Sequence, residues 1–216
     1  LEFDLHQWNM VLTKAKETKL IWLDLFDNYG VDVLESNLGI VDGIKLQVSV
    51  LFNYSLFERL KGIDLSNKKI IINVAALTLE DIHHFVNKFK LEIKCEELLL
   101  EVGFQGYPTE LMDSGISKIA TLKEHFSNRI VFADHVDGKS EYALWLPIMA
   151  LNLGADIIEK HVMLETRETK YDFYSSITAT QFKKLTELIQ DNFNLKNAGF
   201  LNQKESNYLS KSLLKP

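Results

Sequence analysis

Six short apolar and β-branched runs recur along the chain, at positions 20–23, 43–48, 69–74, 97–102, 129–133 and 155–160. Runs this continuous predict strands buried on both faces, as in a parallel sheet. Amphipathic stretches separate them. Thr78, with Asp81 three residues on, predicts a helix start, and Ile82, Phe85, Val86 and Phe89 then fall on one face. The stretch 141–152 reads as a helix ending at Gly154, either kinked or started late by Pro147. After Ser176-Ile177-Thr178, the positions Phe182, Leu185, Leu188 and Ile189 predict a last amphipathic helix. Residues 195–216 are polar and weakly patterned, so the expected division is one domain over 1–194 followed by a tail or linker over 195–216.

About six strand–helix units predict an α/β fold, either an incomplete TIM (β/α) barrel or an open doubly wound sheet. No glycine-rich dinucleotide or phosphate loop follows the first run, which favours the barrel. The chain has 216 residues, 46% hydrophobic and 25% charged, an ordinary globular balance with length for one sizeable core. A net charge of −6 with no basic patch points away from nucleic acid, and no apolar run is long enough to span a bilayer. The single cysteine, Cys95, forms no internal disulfide and suits a reducing cytoplasm. The chain starts Leu1-Glu2-Phe3-Asp4, without an initiator methionine or a signal-peptide pattern, and a fragment or processed product is expected.

Barrel chemistry sits at strand C-termini. Two of the runs end in histidine, Ala133-Asp134-His135 and Glu159-Lys160-His161. Two imidazoles on neighbouring strand ends suit a divalent metal, with Asp134 and Glu159 available to orient them. Capping a strand by bonding a backbone carbonyl explains each histidine about as well. Lys45 lies inside an apolar run and either binds a phosphate or carboxylate or snorkels to solvent. Asn73 ends its run as a substrate contact or a turn residue. In Gln105-Gly106-Tyr107-Pro108-Thr109, Thr109 reads as a helix N-cap, and Tyr107 as a ligand contact or a loop aromatic covering the barrel end. His6, His83, His84 and His125 read as surface residues, and Cys95 has no base partner.

The order Tyr107-Pro108-Thr109, Thr121-Leu122-Lys123 with Phe126, Ala133-Asp134-His135, Leu153-Gly154-Ala155 and Ile157-Ile158-Glu159-Lys160-His161 resembles the sialic acid synthase family. Leu164, Asp172, Ser176 and Gln181-Phe182 continue the match downstream, and Phe26-Asp27, Val31-Asp32, Leu34-Glu35 and Thr78-Leu79-Glu80 extend it upstream. The resemblance implies a TIM-barrel enzyme that condenses phosphoenolpyruvate with N-acetylmannosamine or a related amino sugar. The products would be a nonulosonic acid and phosphate. It also implies manganese or magnesium held by His135 and His161, with substrate contacts at Lys45, Ser49, Asn73, Gln105, Tyr107, Asp134 and Asp172, and a homodimer.

The chain departs from the family at several hydroxyls. Ala133 replaces a serine, Val48 another (Ser49 is adjacent), and Asn73-Val74-Ala75-Ala76 a Ser-Thr-Gly-Met stretch. Leu23-Asp24-Leu25 replaces Ser-Thr-Pro, and Phe173 a histidine. Each lost hydrogen bond is worth about 0.5–1.5 kcal/mol net. The alignment also begins at the family's third strand, so two strands carrying a glutamate and a lysine, and a C-terminal antifreeze-like domain, lie outside this sequence. A degenerate barrel that binds a sugar or metal without turnover is the alternative expectation.

Overall fold

A computed structural model describes residues 3–165, 168–169, 171–199 and 202–213. Leu1 and Glu2 at the start and residues 214–216 of the expected tail lie outside them. Helix α1 (Leu5–Lys16) opens the chain, capped by Asp4, whose side chain accepts from the Gln7 amide. Six strands then alternate with helices: β1 (Trp22–Leu25), α2 (Asn28–Ser36), β2 (Gly43–Leu46), α3 (Val48–Leu51), α4 (Tyr54–Lys61), β3 (Leu65–Asn73), α5 (Leu79–Glu92), β4 (Cys95–Val102), α6 (Lys118–His125), β5 (Ile130–Asp134), α7 (Tyr142–Asn152) and β6 (Ile157–Lys160). A small parallel pair, β7 (Val162–Met163) with β8 (Ile177–Thr178), precedes α8 (Ala179–Lys196) and α9 (Gln203–Leu213).

All six expected strands form, and they make one parallel sheet in sequence order, β1 to β6. The sheet is curled. Lys45 on β2 and Glu159 on β6 approach to 2.5 Å, whereas four strand spacings in a flat sheet would separate them by about 19 Å. The result is an incomplete TIM-type barrel, with β1 and β6 as its edges among the described residues.

Alternation along each strand divides the side chains between two cores. Outward residues such as Ile44, Leu46, Ile70, Ile72, Leu100 and Phe132 pack beneath the helices, each contributing about 1.5–3 kcal/mol by burial. Inward residues form a smaller cluster of Ile71, Leu99 and Val131, flanked by Trp22 and Ile157. That cluster floors a cavity of about 660 Å³, whose upper wall carries Asp24, Lys45 and Glu159.

Three local details go beyond the sequence. Helix α7 starts at Tyr142 and runs through Pro147 instead of starting late. Burial of Ala143, Leu146, Pro147 and Ile148 outweighs the one backbone bond that proline cannot make. Thr109 caps no helix. Its amide donates to the His135 carbonyl at 2.8 Å, and its hydroxyl accepts from Gly106 N and donates to the Phe104 carbonyl, each at 2.8 Å. It therefore fastens the 104–109 loop to the end of β5. The segment read as a tail or linker is helical over Gln203–Leu213, and α8 extends to Lys196.

Candidate functional site

The strand C-termini converge on two adjoining groups of side chains. The first surrounds Lys45, which is 6% exposed. Its ammonium lies 2.5 Å from Glu159 Oε1, 3.0 Å from Glu101 Oε1 and 3.8 Å from Asp24 Oδ2. Four strands therefore deliver one cation and three carboxyl groups to one spot. Polar side chains brace it: Asn73 Nδ2 donates to Glu101 Oε1 at 2.7 Å, and Gln47 Nε2 donates to Asp24 Oδ2 at 2.7 Å. Gln105 Nε2 donates to Gln47 Oε1 at 2.9 Å, joining the 104–109 loop to the cluster.

Crowding and burial set the charges here. Burial pulls Lys45 toward the neutral form, but Glu101 and Glu159 overcome it and push its pKa up to about 12. Burial raises Asp24 to about 6 against the pull of Lys45. Glu101 is fully buried, and burial with the neighbouring Glu159 charge raises it to about 8. Glu159 goes the other way: burial opposes its charge, and Lys45 holds it below the usual carboxylate range.

The second group is the histidine pair. His161 Nε2 and His135 Nε2 stand 3.1 Å apart. Burial, then the adjacent His161, depresses His135 to about 4, so its imidazole is neutral at physiological pH. His135 Nδ1 lies 3.4 Å from the Ala133 carbonyl, and His161 Nδ1 lies 4.0 Å from Asp172 Oδ2. Asp172 has φ +56° and shares a second cavity, about 500 Å³, with Tyr107, Thr169, Tyr171, Phe173 and Tyr174. The Tyr107 ring stands edge-on to His135, with centroids 6.0 Å apart.

Most of the expected residues thus meet: Lys45, Asn73 and Gln105 in one network, His135, His161, Tyr107 and Asp172 in the next. Two do not join them. Ser49 is exposed on α3, while Gln47, two residues earlier, takes the inward position. Asp134 is 1% exposed and bonds Lys160 Nζ at 2.7 Å and the Val136 amide at 3.0 Å. Neither Asp134 nor Glu159 orients a histidine as expected, because each is committed to a lysine. The reading of single residues passed over Asp24, Gln47 and Glu101. For Glu101 the signal was present: a charge within Leu98-Leu99-Leu100-Glu101-Val102 is as costly as the lysine that marked Lys45.

Two imidazole nitrogens at this separation fit a divalent metal ion. Among the described residues no third histidine, cysteine or carboxylate joins them, so water or substrate would fill the remaining positions.

Six parallel strands curled about a charged mouth, with histidines ending two adjacent strands, define an incomplete (β/α) barrel. The NeuB family model matches residues 1–199, and the chain belongs to that family. It is 29% identical over 123 residues to a pseudaminic acid synthase of Campylobacter jejuni, covering 57% of this chain and 34% of that protein. To the N,N'-diacetyllegionaminic acid synthase of the same species it is 26% identical over 221 residues, covering 99% of this chain and 63% of the relative. The chain therefore spans less than two thirds of the length of either. Among solved structures, the N-acetylneuraminic acid synthetase of Leptospira borgpetersenii superposes with a TM-score of 0.79 at 23% identity, over 99% of this chain and 72% of that one. A truncated 3-deoxy-D-arabino-heptulosonate 7-phosphate synthase of Thermotoga maritima gives 0.71 at 15% identity, over 88% and 72%. At these identities the likeness is one of fold.

Proposed function

We propose that this chain is the greater part of a barrel that condenses phosphoenolpyruvate with an amino-sugar aldehyde, N-acetylmannosamine or a relative, to give a nonulosonic acid and phosphate. The observation that carries the reading is the convergence of His135 and His161 at 3.1 Å on the mouth that also holds Lys45. Family membership and the synthases among its relatives support it.

In this reading His135 and His161 hold manganese or magnesium, which when bound polarises the sugar aldehyde. The chain's own residues bind and orient. Lys45 takes the phosphate or carboxylate of phosphoenolpyruvate, with Asn73 and Gln105 beside it as neutral donors. Tyr107 and Asp172 border the sugar, and Phe173 and Tyr174 line the far side of the same cavity. The work is done in the cytoplasm, by a homodimer.

One observation favours a different reading, a barrel that binds a sugar or metal without turnover. Lys45 is already engaged by Glu159 and Glu101, which compete with any anion for it. Phosphate release from phosphoenolpyruvate with N-acetylmannosamine and manganese separates the two. Metal-dependent release is expected, falling at least about a hundredfold in His135→Ala. No release with this or any other amino sugar would leave the binding reading.

A further inference from the structure

Of the three carboxyls at the mouth to which the proposed chemistry gives no role, Glu101 has the most unusual surroundings. The side chain is fully buried. Oε1 accepts from Asn73 and faces Lys45 at 3.0 Å. Oε2 is buried with no donor in reach. A second carboxyl group, Glu159, crowds the same ammonium, with its Oε1 2.5 Å from Lys45 Nζ. Two carboxylates on one ammonium repel, and a carboxyl pair bonds only when one member carries a proton.

The charged and titratable groups around Glu101 agree. Strand β1 contributes Asp24, β2 Lys45 and β6 Glu159, while β3 offers neutral Asn73 and β5 turns Ala133 inward. Gln47 and Gln105 above are neutral, and the histidines stand at the strand ends beyond. One ammonium thus faces three acids, of which Glu101 alone is fully buried. Full ionisation would leave two uncompensated negative charges there. A proton on Glu101 satisfies Oε2 and removes one of them.

We propose that Glu101 is held as a neutral carboxylic acid that donates a hydrogen bond to Glu159, and that its ionisation closes Lys45 to anions. Glu101 is then a positioning residue. It keeps Glu159 and Lys45 aligned while sparing the mouth a negative charge, which replaces in part the donors lost at Ala133 and Val48. The role rests on the reading of Lys45 as the anion site.

The test is a carboxyl carbon NMR titration of the chain labelled with ¹³C-glutamate, together with inorganic phosphate binding by calorimetry between about pH 6 and about pH 9. One glutamate carboxyl should titrate on the alkaline side of neutrality and vanish in Glu101→Gln. Relative to that variant, wild-type affinity for phosphate should fall about tenfold across the range, the effect of one added charge nearby. Taking the ratio cancels the titration of phosphate itself. Glu101→Met, similar in length and uncharged, should follow the glutamine variant if the amide perturbs folding.

If every glutamate is ionised by about pH 6, the proposal falls. Parallel loss of phosphate by wild type and variants would leave Glu101 its proton and remove its control of Lys45. Phosphate binding to neither at any pH, with the alkaline carboxyl present, would refute the anion site and with it the proposed condensation.

Discussion

At Lys45 three carboxyl groups compete for one ammonium, and removing that ammonium strands them. Lys45→Met should lower unfolding free energy by about 3 kcal/mol, the usual cost of breaking a buried pair, measured by denaturant titration near neutral pH. The acids add a pH signature. Glu101 sits at about 8 and Asp24 at about 6, both above their ordinary values near 4, so the folded chain binds more protons than the unfolded one across that window. Their contribution is therefore complete at the acid end and is lost as pH rises through about 6 and then about 8. Glu101→Gln should flatten the alkaline part of the decline, read as the denaturation midpoint against pH. Lys45 itself was legible in the sequence because a charge in an apolar strand needs a reason. Glu101 carried the same signal, but its meeting with Asp24, Lys45 and Glu159 was not legible, since the curl that brings β1, β4 and β6 around β2 is encoded in no single residue.

At the scale of elements, the strands were the legible part. Burial on both faces writes each as an uninterrupted apolar run, and the six runs became the six strands of the sheet in order. Connections were harder. Thr109 looked like a helix cap because threonine before an acidic residue usually is one. It is instead bonded to the end of β5, through a partner 26 residues away that local pattern cannot show. Just upstream, Gly103 has φ +134°, and a Cβ there would sit 2.0 Å from the Ala133 carbonyl oxygen. Gly103→Ala forces β4 and β5 apart beneath the loop that carries Gln105 and Tyr107. It should cost about 2–3 kcal/mol, seen as a lowered Tm, and should disturb the environment of Tyr107.

For the whole molecule, the two sheet edges and the apolar floor between them set the behaviour. Among the described residues β1 and β6 end the sheet, and Trp22, Ile71, Leu99, Val131 and Ile157 line a cavity of about 660 Å³. Free edges beside apolar surface promote association. The 216-residue chain on its own should form concentration-dependent oligomers by light scattering and bind an apolar dye. Dilute monomer with no dye binding would contradict that. The family resemblance indicated an incomplete barrel from strand order alone, but not how tightly its ends would be drawn together.

They are drawn together by Lys45 and Glu159, from strands four places apart. That contact works like a drawstring threaded across the rim. Cut it, as Lys45→Met does, and two strands with no backbone ladder between them lose their direct tie. Side chains thus span the rim at a place where the sheet has no ladder to close it.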